Sequence, residues 1–337
     1  MTSVVGSGEW RRLVAALDRA DSVVVVGHVN PDPDALGSAL ALALGLRGAG
    51  CAQVQVSFDA EPFAVPRALR WLPGASDLIV APEQVLAQPD CLVAVDCAAP
   101  DRLGRLLEVA GRAGVFAVLD HHRSNPGFGD IEVVASDAPA TGVLVARLLD
   151  DLGCPRTPDI ATNLYAAISS DTGSFRFPAT TAQTHGLAAE LHRSGIDHSA
   201  IATELFASRP IAVARLAGQM MVDAQYEETA LHGAGLLIGI VSRADRADLG
   251  VSFDEVESLV TDLAAIGDAD TAVLLKEDDD GGWRVSARSK GAVDLGAFAA
   301  SRGGGGHTQA AGYAAAGDAE VISADLLHGL EGFMADR

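Results

Sequence analysis

The sequence predicts an α/β protein of two domains, in which the N-terminal domain is built on a parallel β-sheet. The chain of 337 residues is long enough to form two separate hydrophobic cores. In its first half, short runs rich in β-branched residues alternate with longer apolar segments, a pattern typical of strands joined by helices. We expect an N-terminal parallel-sheet domain at 1–193, a helical connector at 194–222 and a smaller C-terminal α/β domain at 223–337.

The N-terminal sheet is predicted from short runs of strand-forming residues. These strands are expected at 23–26, 53–58, 78–81, 91–95 and 115–119. Helices are predicted where the apolar segments are longer, at 35–46, 142–152, 159–170, 182–194 and 199–206. Because strands and helices alternate, the carboxyl ends of the strands should share one edge of the sheet, where functional residues of such folds collect.

The C-terminal domain is predicted to mix strands with helices. A helix at 211–222 precedes it, strands are expected at 236–241, 271–276 and 283–287, and helices are expected at 253–264 and 319–334. The acidic segment 277–282 lies between two strands and is interpreted as a solvated hairpin tip. Four glycines at 303–306 precede His307, and residues 308–311 after them are predicted to begin a helix.

The charge of the chain limits the partners that it can bind. Lys and Arg number 24 and Asp and Glu number 45, so the formal net charge is −21. An acidic surface disfavours long nucleic acids, whose affinity depends on contacts from Lys and Arg to phosphates. A small phosphorylated substrate remains compatible, because bound divalent ions reverse the local field.

Other features of the sequence predict a cytoplasmic protein without a membrane partner. No apolar run approaches the ~20 residues of a membrane span, and the first residues lack the pattern of a signal peptide. The four cysteines, Cys51, Cys91, Cys97 and Cys154, show no CxxC spacing. We interpret them as small core residues of a protein in a reducing compartment.

Acidic and histidine side chains follow three of the predicted strands and one predicted helix. They are His28, Asp32, Asp34, Asp96, Asp120, His121, His122 and Asp171. Each has a structural alternative, because an acid at the end of a strand often caps the next helix, and Asp34 is the candidate N-cap here. Their joint occurrence at the ends of elements favours a functional site.

The side chains of this group suit divalent metal ions. Six of its members, with two imidazoles and four carboxylates, are the candidate ligands: His28, His121, Asp32, Asp34, Asp96 and Asp171. The absence of thiolates disfavours a structural zinc site, whereas oxygen ligands with imidazoles suit an ion such as Mn²⁺. Six side chains exceed the needs of one ion, so two ions that share a carboxylate fit better. Such a pair of ions is suited to the hydrolysis of phosphate esters.

Two segments of the C-terminal domain are candidates for anion binding. Glycines before a helix let backbone N–H groups approach an anion, and His307 could add a donor or stack on a base. Arg288 and Ser289 end a predicted strand and could offer a guanidinium to a phosphate or a carboxylate. A flexible linker and a solvated strand end are the alternative interpretations of these two segments.

Six segments of the chain resemble the motifs of DHH-family phosphoesterases. GHVNPDPDALGS, VAVDCA, LDHHRSN and SSDTGSF are similar to the four motifs of the family, in order. SARSKG and GGGGHTQAAGY are similar to the substrate motifs of the DHH-associated C-terminal domain. The resemblance covers nearly the whole chain. It implies a metal-dependent phosphodiesterase or phosphatase with its active site in the cleft between two domains.

The resemblance also implies roles for the matching residues. One Mn²⁺ would be held by His28 and Asp32, the other by Asp34, His121 and Asp171, and both by the bridging Asp96. The catalytic residues would be Asp96, Asp120 and His122: Asp120 would orient His121, and His122 would donate to the scissile phosphate. A hydroxide that bridges the two metals would be the nucleophile. The implied substrate contacts are Asn30, His122, Arg288, Ser289, Gly305, Gly306 and His307.

Within the family, the chain is similar to the stand-alone nanoRNase and pAp-phosphatase type. It has no room for the extra oligonucleotide-binding domain of the large exonuclease, and it shows no membrane segments like those of membrane-bound cyclic-dinucleotide phosphodiesterases. The expected substrates are short oligoribonucleotides, the di-adenylates pApA and c-di-AMP, and 3′-phosphoadenosine 5′-phosphate (pAp), with release of nucleoside monophosphates. We expect two Mn²⁺ per chain, with other divalent ions possible, and a homodimer.

Two other functions are compatible with the same residues. The chain could be a nucleotide-binding regulatory protein with structural metals, although a binding module has no need of an open site for a bridging water. It could also be an inorganic pyrophosphatase, but the resemblance implies a different C-terminal domain for the pyrophosphatases of the family.

Overall fold

A computed structural model describes residue 5 and residues 7–335 of the chain. The chain divides into two compact units, the first ending at Ser208 and the second beginning at Arg209. Each unit has its own sheet and its own hydrophobic cores. The limits that the sequence predicts for the connector, 194 and 222, stay predictions.

The first unit alternates strands and helices as the sequence predicts. Its strands are β1 (Ser22–Val26), β2 (Gln53–Ser57), β3 (Cys91–Val95), β4 (Val115–Asp120) and β5 (Ile131–Val134). Its helices are α1 (Gly8–Arg19), α2 (Pro33–Gly48), α3 (Ala75–Leu78), α4 (Leu106–Ala110), α5 (Thr141–Asp151), α6 (Pro158–Asp171), α7 (Ala182–Arg193) and α8 (His198–Phe206). Short 3₁₀ turns lie at Arg67–Leu69, Pro82–Gln84 and Pro100–Leu103.

The five strands form one sheet in the order β2-β1-β3-β4-β5, and all neighbours are parallel. Alternate residues of a strand face opposite sides of the sheet. Val23 and Val25 therefore pack with α1, α2, α5 and α6, whereas Val24 and Val26 pack with α4. Helices therefore cover both faces of the sheet, and the residues at its carboxyl edge follow directly from buried strands.

One predicted strand of the first unit is wrong, and one strand was not predicted. Residues 78–81 do not form a strand: α3 ends at Leu78, and Ile79 makes a single parallel bridge to Val56. The apolar residues of this segment pack against the core but do not form a series of hydrogen bonds with a neighbouring strand. The edge strand β5 has only four residues, two of them buried, which is too weak a pattern to recognise.

The second unit contains a mixed sheet between helices. Its strands are β6 (Gln225–Glu227), β7 (Leu236–Val241), β8 (Thr271–Glu277), β9 (Trp283–Ser289), β10 (Gly305–His307) and β11 (Ala310–Ala315). Its helices are α9 (Ile211–Asp223), α10 (Ala230–Gly233), α11 (Arg243–Leu249), α12 (Leu259–Ala264), α13 (Leu295–Ser301) and α14 (Ala319–Ala335). The strand order is β10-β11-β9-β8-β7-β6; within this sheet, as far as the structure describes it, β7 and β8 are parallel and the other neighbours are antiparallel.

Two helix predictions in the second unit need correction. The segment 308–311 does not begin a helix, because β11 starts at Ala310 and pairs with β9. Alanine favours helices, but pairing with a neighbouring strand overrides a weak local preference. The helix predicted at 253–264 is broken into a 3₁₀ turn at Asp254–Val256 and the helix α12.

None of the helices in the described ranges is long and apolar enough to span a membrane. The described cysteines are free thiols, and three of the four are buried, as expected for small core residues.

The close packing of α2 on α6 generates a prediction about stability. A Cβ on Gly37 of α2 would lie 2.7 Å from the backbone oxygen of Asn163 in α6. We expect Gly37→Ala to lower the free energy of unfolding by about 1–3 kcal/mol, because the two backbones must separate. The matched control is Gly48→Ala in the same helix, where a Cβ would meet nothing within 4 Å. Urea denaturation of both variants measures the difference, and equal stabilities would contradict the tight contact.

Candidate active site

The carboxyl ends of three adjacent strands bring the predicted site residues together. β1 leads into His28, β3 into Asp96, and β4 ends at Asp120 before His121 and His122. The imidazole of His28 has its Nε2 3.8 Å from a carboxylate oxygen of Asp32 and 3.8 Å from one of Asp96. These side chains are the first half of a centre that we call the acidic centre.

The second half of the acidic centre lies around His121. Its Nε2 is 3.1 Å from Asp171, 3.4 Å from Asp96 and 3.8 Å from Asp34. The acidic centre therefore consists of His28, Asp32, Asp34, Asp96, His121 and Asp171. The ligand atoms of His28, Asp32 and Asp96 all lie within 4.8 Å of one another, as do those of Asp34, Asp96 and His121. Asp96 belongs to both groups.

Asp32 serves as a helix cap and as a member of the centre at the same time. Its Oδ1 accepts hydrogen bonds of 2.9 Å from the N–H groups of Asp34 and Ala35, so Asp32 is the N-cap of α2. Its Oδ2 faces His28. The sequence assigned the cap to Asp34 as a structural alternative, and that assignment is wrong: Asp34 lies inside the first turn and is fully buried.

Asp34 is held by the beginning of another helix. Its two oxygens accept hydrogen bonds from the N–H groups of Thr141 (2.7 Å) and Gly142 (2.9 Å), the first residues of α5. The hydroxyl of Ser38 adds a third bond of 3.1 Å. Backbone N–H groups at a helix N-terminus favour a negative charge. The same Thr141 donates from its hydroxyl to Asp96, at 2.9 Å.

The electrostatics of the acidic centre fit a bound cation. Burial, together with the charges of Asp96 and Asp171, raises the pKa of Asp34 well above its ordinary value. Burial also raises the pKa of Asp171. For Asp96, burial raises the pKa, but the hydrogen bond from His121 and the charges of His121 and His122 together lower it below its ordinary value. Carboxylates so close together repel one another unless a proton or a metal ion neutralises them. The donor set, carboxylates with imidazoles, is one that divalent ions prefer.

Two residues of this region have an unusual backbone conformation. Asp96 has a φ of +55° and Asn30 a φ of +52°, both in the left-handed region. Non-glycine residues rarely adopt this conformation, and those that do cluster at functional sites. The turn at Asp96 takes its side chain out of the line of β3 and toward both histidines of the centre.

Asp120 lies beside the centre and orients the histidines that follow it. One oxygen accepts from the backbone N–H of His121 (2.8 Å) and lies 2.8 Å from Nδ1 of His122. Burial alone would raise the pKa of Asp120, but the hydrogen bonds from His122 and Asn125, together with the charge of His122, lower it and keep the carboxylate ionised. For His122, burial lowers the pKa, but the hydrogen bond to Asp120 and the negative charges of Asp96 and Asp120 together raise it above its ordinary value. Asp120 therefore favours a protonated His122.

Two residues near the centre were not identified as site residues from the sequence. The side-chain amide of Asn125 donates to Asp120 (2.7 Å) and to the carbonyl of Cys97 (3.1 Å). The guanidinium of Arg102 lies 2.9 Å from Nδ1 of His28, which is also 2.7 Å from the carbonyl of Val29. Nδ1 cannot donate and accept at once, and binding of a metal at Nε2 requires donation to Val29. Asn125 could have been suspected from its place in the LDHHRSN segment, whereas Arg102 carries no sequence signal.

The predicted substrate residues of the second unit lie on neighbouring strands. His307 in β10 is paired with Ala310 in β11, and Ala310 is paired with Arg288 in β9. Paired residues point to the same face, so Arg288 and His307 flank a small alanine, about 10 Å apart across two strand spacings. Ser289 faces the other side, and its hydroxyl donates to Asp270 at 2.7 Å.

The glycine-rich segment forms a hairpin rather than the start of a helix. A Cβ on Gly306, whose φ is +138°, would lie 2.5 Å from the carbonyl oxygen of Ala310. A Cβ on Gly304 would lie 2.2 Å from the carbonyl oxygen of Gly312. The glycines therefore let β10 and β11 approach each other. The prediction of backbone donors at a helix N-terminus is wrong for this segment.

Together, the parallel sheet and the acidic centre at its carboxyl edge define a protein of α/β architecture whose donor groups could hold divalent metal ions. Residues 22–168 match the model of the DHH family, N-terminal domain, and residues 236–327 match the DHHA1 domain. The chain belongs to the DHH family of phosphoesterases.

Known proteins resemble the chain over most of its length. The bifunctional oligoribonuclease and PAP phosphatase NrnA of Thermus thermophilus is 35% identical over 90% of this chain and 88% of that protein. The protein of the same name from Bacillus subtilis is 26% identical over 93% of this chain and 96% of its own length. The crystal structure of an exopolyphosphatase-related protein from Bacteroides fragilis superposes with a TM-score of 0.86 at 24% identity, and covers 99% of both chains. This last similarity concerns the fold.

The shared position of Asp96 predicts how the protein responds to metal. In wild-type protein, Mn²⁺ at 100 times its Kd should stabilise the fold by about 2.7 kcal/mol. Asp96→Asn keeps the shape of the side chain and tolerates the left-handed backbone, but removes a charge from both groups of ligands. We expect it to unfold no more easily than wild type in EDTA and to lose most of the stabilisation by Mn²⁺.

Thermal denaturation with EDTA and with Mn²⁺ measures both effects. The control is Asp77→Asn, which removes an exposed carboxylate that pairs with Arg47 at 3.0 Å. A wild-type response to Mn²⁺ in Asp96→Asn would show that the centre does not hold the ion.

The bond from Asn125 to Asp120 predicts a role in orientation. Asn125→Ala should lower kcat by about 10–100-fold, the usual cost of losing a group that supports a metal-site ligand or its neighbour. Steady-state hydrolysis of a phosphoester substrate measures the loss. Ser124→Ala, an exposed position in the same loop, serves as the control and should retain wild-type activity. Equal activity of the two variants would contradict the orienting role.

Proposed function

We propose that the protein hydrolyses phosphoester bonds in short oligoribonucleotides, in the di-adenylates pApA and c-di-AMP, and in pAp, with two Mn²⁺ per chain. The observation that carries the proposal is the position of Asp96 in both groups of candidate ligands. Two cations can then lie side by side, as in enzymes that hydrolyse phosphate esters. The names of the Thermus thermophilus and Bacillus subtilis relatives support oligoribonucleotides and pAp among these substrates.

In this proposal, His28 and Asp32 would hold one ion, Asp34, His121 and Asp171 would hold the other, and Asp96 would serve both. When bound, the ions supply positive charge to the phosphate oxygens and lower the pKa of the attacking water. The fit rests on the separations of 3.1–3.8 Å between histidine nitrogens and carboxylate oxygens. Other divalent ions can take the same places.

Residues of the chain then orient the proton donor and supply a proton to the scissile phosphate. Asp120 fixes the ring of His122 through Nδ1, and the protonated ring donates from Nε2 to an oxygen of the scissile phosphate. His122 is 14% exposed at its side chain, so a substrate can reach it from solvent. Asn30 contacts the substrate from the loop after β1.

The second unit contributes binding groups. The face of its sheet that carries Arg288 and His307 offers a guanidinium and an imidazole, which suit a second phosphate or a base. Gly305 and Gly306 let the backbone of β10 approach a ligand, and Ser289 supports the end of β9. The net charge of −21 supports short substrates over long nucleic acids. We also propose a homodimer, an expectation that rests on the family resemblance.

Two alternatives are distinguished by the same assay. A regulatory protein would bind a nucleotide with metal present and release it unchanged. An inorganic pyrophosphatase would cleave pyrophosphate faster than any nucleotide.

Product analysis tests the proposed function. Purified protein with Mn²⁺ is offered pAp, pApA, a five-residue RNA and pyrophosphate side by side. We expect AMP from the adenine nucleotides, nucleoside monophosphates from the RNA, and no cleavage of pyrophosphate. Asp32→Asn removes the negative charge of a proposed direct ligand. Loss of a residue that only supports a ligand costs about 10–100-fold, so the activity of Asp32→Asn should fall by at least about 100-fold. Intact nucleotides after incubation with wild-type protein would exclude the proposed function.

A further inference from the structure

Phe177 is a large apolar side chain that is 39% exposed, six residues after Asp171 of the acidic centre. Its neighbour Phe175 behaves differently, because that ring packs against the core and stacks on His185 with centroids 5.3 Å apart. Within the described residues, the Phe177 ring belongs to no hydrophobic core cluster. Its exposure therefore has no explanation in the packing of the first unit.

The position of the ring is fixed by Gly173. A Cβ on Gly173 would lie 2.6 Å from Cζ of Phe177, so the tip of the ring rests on the glycine backbone. Gly173 follows Asp171 by two residues, which span at most about 7 Å of chain. Asp171 lies 3.1 Å from His121, and its side chain is 24% exposed. The exposed Phe177 ring therefore lies close to the backbone of Asp171, which belongs to the acidic centre.

The loop that carries the ring is held by hydrogen bonds. The carbonyl oxygen of Thr172 accepts from the N–H of Phe177 at 3.0 Å, and the hydroxyl of Thr172 accepts from the N–H of Phe175 at 3.0 Å. The Thr172 hydroxyl in turn donates to the carbonyl of Ile168, at 2.6 Å. An exposed ring on a loop that is ordered in advance loses little entropy when a ligand binds.

We propose that Phe177 is the platform on which a nucleobase of the substrate stacks while its phosphate lies at the acidic centre. This inference rests on the proposed function and specifies its recognition of nucleosides. Every base presents a π-face, so stacking on an aromatic ring tolerates any sequence. A single exposed ring suits substrates that share a base and a phosphate but differ in length.

The test compares a nucleotide with the same phosphates lacking a base. Wild type, Phe177→Leu and Phe177→Tyr are assayed with Mn²⁺ on pAp and on ribose 3′,5′-bisphosphate. Phe177→Leu should lower the ratio of kcat/KM for pAp to that for the abasic compound by about tenfold, which corresponds to about 1.4 kcal/mol. Phe177→Tyr should keep the wild-type ratio. The control Phe206→Leu, at a ring 51% exposed on α8, should keep it as well.

Failure of this inference is distinguishable from failure of the proposed function. If wild-type protein hydrolyses none of pAp, pApA and the five-residue RNA, the proposed function fails, and this inference fails with it. If wild type hydrolyses pAp and Phe177→Leu does so with the same kcat/KM, stacking on Phe177 is excluded. Equal losses on both compounds also overturn it, because they show that the ring supports the site rather than the base. If wild type does not use the abasic compound, a loss on pAp in Phe177→Leu that Phe177→Tyr restores supports it.

Discussion

The first unit depends on the concentration of buried negative charge at one edge of its sheet. Asp34 is fully buried and Asp96 is 1% exposed, and both approach the same imidazole. Burying a carboxylate is costly unless it is hydrogen-bonded or neutralised. The fold meets this requirement in part with the backbone of α5, whose first N–H groups bind Asp34, and with the hydroxyl of Thr141 on Asp96. A bound cation would neutralise the negative charge that these hydrogen bonds leave uncompensated.

Apolar packing sets the distances within this polar centre. Asp34 lies in the first turn of α2, and Asp171 is the last residue of α6, so the separation of these helices decides where the two acids lie. Glycines permit the approach: a Cβ on Gly142 at the start of α5 would lie 2.8 Å from Cβ of Ala167 and 3.4 Å from an oxygen of Asp34. Small residues between the helices therefore position groups that have no direct bond to one another.

The sequence predicted most of this centre because parallel sheets impose a simple rule. A run of buried residues that ends in an acid or a histidine delivers that side chain to the edge shared by its neighbours. His28, Asp96 and His121 follow this rule. Residues that follow no strand end could not be found in this way: Arg102 is recognisable only when its guanidinium is seen beside Nδ1 of His28. The position of the exposed Phe177 ring depends on three consecutive residues with a left-handed backbone, Gly173 and the two that follow it. Of these, only the glycine is a residue type that suggests this conformation from the sequence.

The second unit shows the limit of the same reasoning. Glycines before an apolar run are compatible with a helix N-terminus and with a tight hairpin, and only the pairing of β11 with β9 decides between them. The outcome changes how an anion could be bound. A helix N-terminus would offer several N–H groups to one anion, whereas the hairpin sets His307 and Arg288 on one face with Ala310 between them. If this face binds a ligand, positive charge would come from side chains, which can be changed individually without breaking the backbone that carries them.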